Sequence, residues 1–163
     1  MAAIADAAGL SRATVYRHFP SRDSLEEAIR AEALASARAV LNDVDTEGPA
    51  SAALEHAVRG LVRLGPRFGV LLRDGSSPGE EFLRQRDEAL RPLREIVRRA
   101  RELGAIDHEV SEAWAYQALT ALLMAAARAS ATTGGTADAA ADAVCRTYFR
   151  GLGSGPGRRR NGA

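Results

Sequence analysis

The chain has no lysine: all 22 of its basic residues are arginine. They face 21 acidic residues, which leaves a net charge of +1. That balance excludes a general polyanion coat, so any attraction to a charged partner must be local. Cysteine is almost absent too. With Cys145 alone, neither an intrachain disulfide nor a cysteine-based metal cluster can form, as suits a reducing cytoplasm. His18, His56 and His108 lie far apart in the sequence. His56 shares the polar side of its helix with Arg59 and Arg63 and reads as a surface residue. No nucleophile elbow, zinc-binding helix or phosphate-cradling glycine loop is present, so no catalytic residue, metal or cofactor is expected. The longest apolar run, Ala113 to Ala127, has 15 residues and contains Gln117. It is too short to span a bilayer and reads as a buried helix. The N-terminus has no signal-peptide pattern, so a cytoplasmic protein without membrane contact is expected.

Every periodic stretch of the chain is helical. The periodicity predicts a long helix from Ser21 to about Leu41, with Leu25, Ala28, Ile29, Ala33 and Val40 inward. NDVDTEGP, residues 42–49, is a loop by its turn residues. A helix over 50–64 turns Leu54, Ala57, Val58, Leu61 and Val62 inward, and a short apolar piece covers 67–73. Residues 80–103 are helical, with Pro92 either kinking one helix or opening a second. Helices over 111–130 and 137–152 follow. The glycine-rich end, 153–163, carries Arg158, Arg159 and Arg160 and reads as a disordered tail. The fold class expected is therefore all-α, with a head over 1–41 and a helical body over 42–152.

The head carries the chemistry. Residues 1–8 form a short helix with Ile4, Ala5 and Ala8 on one face. Gly9 can take the left-handed conformation of a sharp turn, and Leu10 is expected to pack beneath it. Ser11 caps a second helix, from about Arg12 to Phe19, and Pro20 stops it. Val15 and Phe19 share its inner side, while Arg12, Ala13, Tyr16 and Arg17 are left open. A helix of about eight residues is roughly 12 Å long, close to the width of the major groove of B-DNA. Arg12 and Arg17 suit guanine edges; Thr14, Tyr16 and His18 suit phosphate oxygens. Residues 11–22 hold three arginines, one histidine and no acid. Arg22 opens the next helix, whose N-terminal amides also favour phosphate.

The segment AGLSRATVYRHFPSRDSL closely resembles the DNA-binding segment of TetR-family transcriptional regulators. The matching positions are Gly9, Leu10, Ser11, Thr14, Tyr16, Phe19, Ser21 and Arg22. The resemblance implies a helix-turn-helix head that binds a DNA operator through Ser11, Arg12, Ala13, Thr14, Tyr16, Arg17, His18 and Arg22. It implies an effector pocket in the body, for which Phe68, Leu72, Phe82, Arg86, Trp114 and Gln117 are the candidate walls. It also implies a homodimer joined through the last two helices. Alanines at 113, 118, 121, 125 and 126 allow close approach there. The expected seam residues are Leu119, Leu122, Leu123, Ala126, Val144, Tyr148 and Phe149. A palindromic operator follows from twofold symmetry. The family has a further helix before the motif, and only MAAI precedes Ala5 here. That departure sets a second expectation beside the first. A ligand-released repressor is the leading reading. A regulator-like dimerisation or interaction protein with impaired DNA binding is the alternative.

Overall fold

The structure is a computed structural model that describes residues 1–72, 79–132 and 135–153, the side chains of 66, 72 and 130–132 excepted. The described residues form nine helices and no strand: α1 (Ala2–Ala8), α2 (Arg12–His18), α3 (Arg22–Asn42), α4 (Ala50–Arg63), α5 (Pro66–Leu72), α6 (Glu80–Ala89), α7 (Arg91–Glu102), α8 (Glu112–Thr132) and α9 (Ala137–Leu152). The expected tail lies outside the described residues from 154 onward.

Local chemistry sets most of the boundaries. Ser21 accepts from the Ser24 amide while the Ser24 hydroxyl accepts from the Ser21 amide, so α3 starts on a reciprocal capping box. Thr136 caps α9 from one side only, its hydroxyl accepting from the Ala139 amide. Pro92 falls in the first turn of α7, where its missing N–H costs nothing. Of the two expected outcomes for residues 80–103, the chain therefore takes the second: α6 closes at Ala89 and α7 opens after Leu90.

α4 is the axis of the body, packed against α3, α7, α8 and α9. Its inward residues Leu54, Ala57, Val58, Leu61 and Val62 are all buried, as their spacing predicts. Leu93, Ile96 and Val97 of α7 and Leu119 and Leu123 of α8 join them in one continuous core. The second half of α3 belongs to that core through Ala33, Leu34, Ala37 and Leu41. Its first half does not. Ile29, expected inward, is 42% exposed, because the body begins to cover α3 only from Ala33.

α3 and α4 approach closely at Gly60. A Cβ there would stand 2.4 Å from Cγ1 of Val40, far inside contact distance. Valine in a helix has little rotamer freedom with which to move aside. Gly60→Ala is therefore expected to lower stability by about 1 kcal/mol, the overpacking cost outweighing the gain in helix propensity. A denaturant midpoint measures it. Pairing the change with Val40→Ala should restore most of the loss, and an unchanged midpoint in the single variant would contradict the contact.

Candidate nucleic-acid interface

α1 and α2 are joined by a tight turn. Gly9 sits at φ 65° and ψ 25°, and its amide donates to the Asp6 carbonyl. The Leu10 amide donates to the Ala5 carbonyl at 3.0 Å, closing the end of α1. Ser11 then caps α2: its hydroxyl oxygen accepts from the Thr14 amide at 3.1 Å and shares a hydrogen bond with the Thr14 hydroxyl at 2.8 Å. The Phe19 amide donates to the Val15 carbonyl and ends the helix one residue earlier than its spacing predicts.

The side chains divide as the sequence suggests. Val15 is buried and Phe19 half-buried, while Ser11, Arg12, Ala13, Tyr16, Arg17, His18 and Arg22 are exposed. Among the described residues, Arg12 and Arg17 form no ion pair, so both guanidinium groups are open to a partner. Arg22 is engaged on one side, Nε donating to Glu26 Oε1 at 2.9 Å, but its side chain stays largely in solvent. Thr14 is half-buried and its hydroxyl is committed to the cap, so it serves the turn before any phosphate. The pair of helices is thinly packed. Ala5 and Val15 are its buried residues, and Ile4 is 41% exposed. Leu10, expected beneath the turn, is 50% exposed. It follows the left-handed glycine at once, and the backbone there carries its side chain outward.

Among the described residues, those expected to wall a pocket do not all face one interior. Phe68 is sealed in the core, whereas Trp114 is 60% exposed and Gln117 is exposed. One helix cannot turn Trp114 and Gln117 outward and use them inside the bundle. Phe82 lies under the Arg30 guanidinium, 5.4 Å from ring centre to Cζ. Arg86 reaches the Leu71 carbonyl at 3.5 Å. The side chain of Leu72 lies outside the described residues. A cleft of about 180 Å³ opens elsewhere, between residues 46–53 and Glu95, Ile96 and Arg99 of α7. On α8, Tyr116 is half-buried, stacked 5.0 Å under Arg94, and burial pushes its hydroxyl pKa up. Its place one turn before Leu119 and two before Leu123 was the available signal.

The last two helices show a similar division. Leu119, Leu123, Val144 and Tyr148, expected between two copies, are buried within the chain's own core. Tyr148 reaches across to α8 and donates its hydroxyl to the Ala115 carbonyl at 2.9 Å, in surroundings dry enough to raise its pKa. Leu122 and Phe149 are half-buried and Ala126 is nearly covered. What faces outward is an apolar groove of about 200 Å³ lined by Leu122, Ala125 and Ala129 of α8 and Ala140, Ala143 and Thr147 of α9. The α9 alanines escaped the sequence reading because alanine fits core and surface equally well. Tyr148→Phe is expected to lower stability by about 1 kcal/mol, the worth of one buried hydrogen bond, without altering the groove. Thermal unfolding tests this, and an unaltered midpoint would mean that the bond contributes nothing.

Among the described residues, no group of three or more His, Cys, Asp or Glu could hold a metal ion, and no helix is long and apolar enough to cross a membrane.

Residues 1–29 match the family described as "Bacterial regulatory proteins, tetR family". The whole chain is similar to solved structures. It shares 27% identity with the TetR-like transcriptional regulator LfrR from Mycobacterium smegmatis, solved in complex with proflavine, at a TM-score of 0.68 over 91% of this chain and 82% of that one. It shares 27% with the TetR family transcriptional regulator PfmR from Thermus thermophilus, at 0.67 over 93% and 86%. The fatty acid degradation regulator FadR from Bacillus halodurans, at 17% identity and a TM-score of 0.54 over 91% and 86%, shares the fold. No curated protein sequence matches the chain significantly. The helix-turn-helix segment thus matches the TetR family model, and the fold over nine-tenths of the chain is similar to that of TetR-family transcriptional regulators.

Proposed function

We propose that this protein represses transcription as a homodimer on a palindromic operator and is released when a small molecule occupies the body. The observation that carries this reading is the open face of α2. Arg12, Tyr16, Arg17 and His18 are exposed together on one short helix without an acidic residue. Such a face meets phosphates with its flanks and base edges with its forked donors. The apolar groove of α8 and α9 supports a second copy, which would place two such faces on one duplex. That LfrR was solved with proflavine supports an effector of drug size for a related fold.

The test is selection of duplexes from a random library followed by mobility shift at several salt concentrations. Enrichment of a palindrome, with affinity falling steeply as salt rises, is the expected result. Equal affinity for every duplex would overturn the reading.

The thin packing of α1 and α2 favours a second reading, a dimerising interaction protein with weak DNA binding. Helices held by so few buried side chains open locally at low cost. Backbone amides of residues 2–18 are expected to exchange at least a hundredfold faster than those of α4. Protection equal to that of α4 would remove the basis of the second reading.

A further inference from the structure

α4 and α9 are joined by a ladder of opposite charges. Arg63 reaches Asp138 at 2.9 Å, and Arg59 reaches Asp142 at 2.7 Å. The ladder then runs out of acids. Glu55, the next charge along α4, is already held by Arg59 at 2.6 Å. One turn before it stands Ser51. On α9 the series continues with Arg146 and Arg150, both exposed and, among the described residues, without an ion-pair partner. The two arginines stand on the wall of a cleft of about 340 Å³ whose other lining includes Glu55, Arg59, Asp142 and Phe149. Phe149 is half-buried, and its ring is set edge-on against Tyr148 with centroids 6.0 Å apart. Part of an aromatic surface is therefore held in place beside two free guanidinium groups.

We propose that this cleft binds a small organic anion, a carboxylate or a phosphate monoester, with its charge between Arg146 and Arg150 and its apolar body on Phe149. Arg59 pairs with both acids in the cleft, and with Arg146 and Arg150 counted the charged lining is net +1, which favours an anion. Two guanidinium groups one helical turn apart supply forked donors for a planar or tetrahedral anion. A single exposed ion pair holds little. The volume is in the range of small-molecule sites, and the apolar contact adds what charge alone does not. The site uses residues 142, 146, 149 and 150 of α9, whereas the alanine groove uses 140, 143 and 147. Arg146 and Phe149 face away from the groove, while Arg150, two turns after Ala143, stands where the cleft and the groove adjoin.

The test is a titration of the full-length protein followed by amide chemical shifts over residues 142–150. The probes are sodium benzoate, phenyl phosphate, inorganic phosphate and benzyl alcohol. Benzoate or phenyl phosphate is expected to bind at least tenfold more tightly than inorganic phosphate, with no saturable shift from benzyl alcohol. The tighter of the two names the head group. The double substitution Arg146→Gln with Arg150→Gln should weaken the organic anion at least tenfold while helix content by circular dichroism is unchanged. Phe149→Leu should narrow the gap between phenyl phosphate and inorganic phosphate. Inorganic phosphate acting as strongly as the organic anions would reduce the cleft to a charged patch and overturn the proposal. So would the absence of any saturable shift, or wild-type binding by the double variant.

Discussion

Leu122→Arg is expected to break the proposed homodimer into monomers and, with it, to abolish operator binding at working concentrations. Leu122 lines the apolar groove of α8 and α9, where its neighbours Ala125, Ala129, Ala140 and Ala143 carry only methyl groups. A second copy seated on this surface would enclose the new guanidinium among side chains that offer it no carboxylate and, apart from the Thr147 hydroxyl, no acceptor. Burying an unpaired charge costs several kcal/mol even after relaxation. At about 1.4 kcal/mol per tenfold, dimer affinity falls by a factor on the order of a thousand. Operator binding falls further, because one duplex no longer receives two heads joined by a fixed span. Leu122 is only half-buried in the single chain, so the fold itself should tolerate the change. Light scattering and circular dichroism together make the measurement. A variant that keeps both its helix content and its dimer mass would show that copies meet elsewhere.

Arg17→Ala is expected to cost about 1–3 kcal/mol per half-site and to relax base preference at one position of each. Arg17 is exposed in the last turn of α2, and among the described residues no acid holds its guanidinium. Both donor edges are therefore available to a guanine, the commonest forked contact in the major groove. Arg17→Lys keeps the charge and loses the fork. It should hold affinity for random duplexes yet still relax the preference, which separates base reading from simple attraction. Tyr16→Phe should weaken all duplexes alike, since a phosphate contact carries no sequence information. A mobility-shift series decides the matter. Unchanged preference in both Arg17 variants would move base reading elsewhere on the helix.

The head and the helix order are legible in the sequence alone, and for local reasons. Gly9, Ser11, Pro20, Ser21 and Pro92 act on their own backbone, so the turn, the caps and the break between α6 and α7 follow from chain-neighbour chemistry. The inward face of α4 was legible because its large apolar residues recur at helical spacing. The open face of α2 was legible because its exposed residues, Ala13 apart, are charged or polar and Val15 is not.

Other features were decided only when helices met. α8 is rich in apolar residues on nearly every side, so its spacing does not say which side is core. Packing against α5, α7 and α9 buries Leu119 and Leu123 and turns Trp114 and Ala125 outward. Tyr148 is committed to its own chain by a hydrogen bond to a residue 33 positions away, which no local pattern encodes. Asp142 of α9 is held by Arg59, which reaches across from α4, where Glu55 also pairs with it. Charge, capping and period act within a few residues and are written in the chain. Which apolar face is covered, and which charge is left over, depends on surfaces brought together from distant segments.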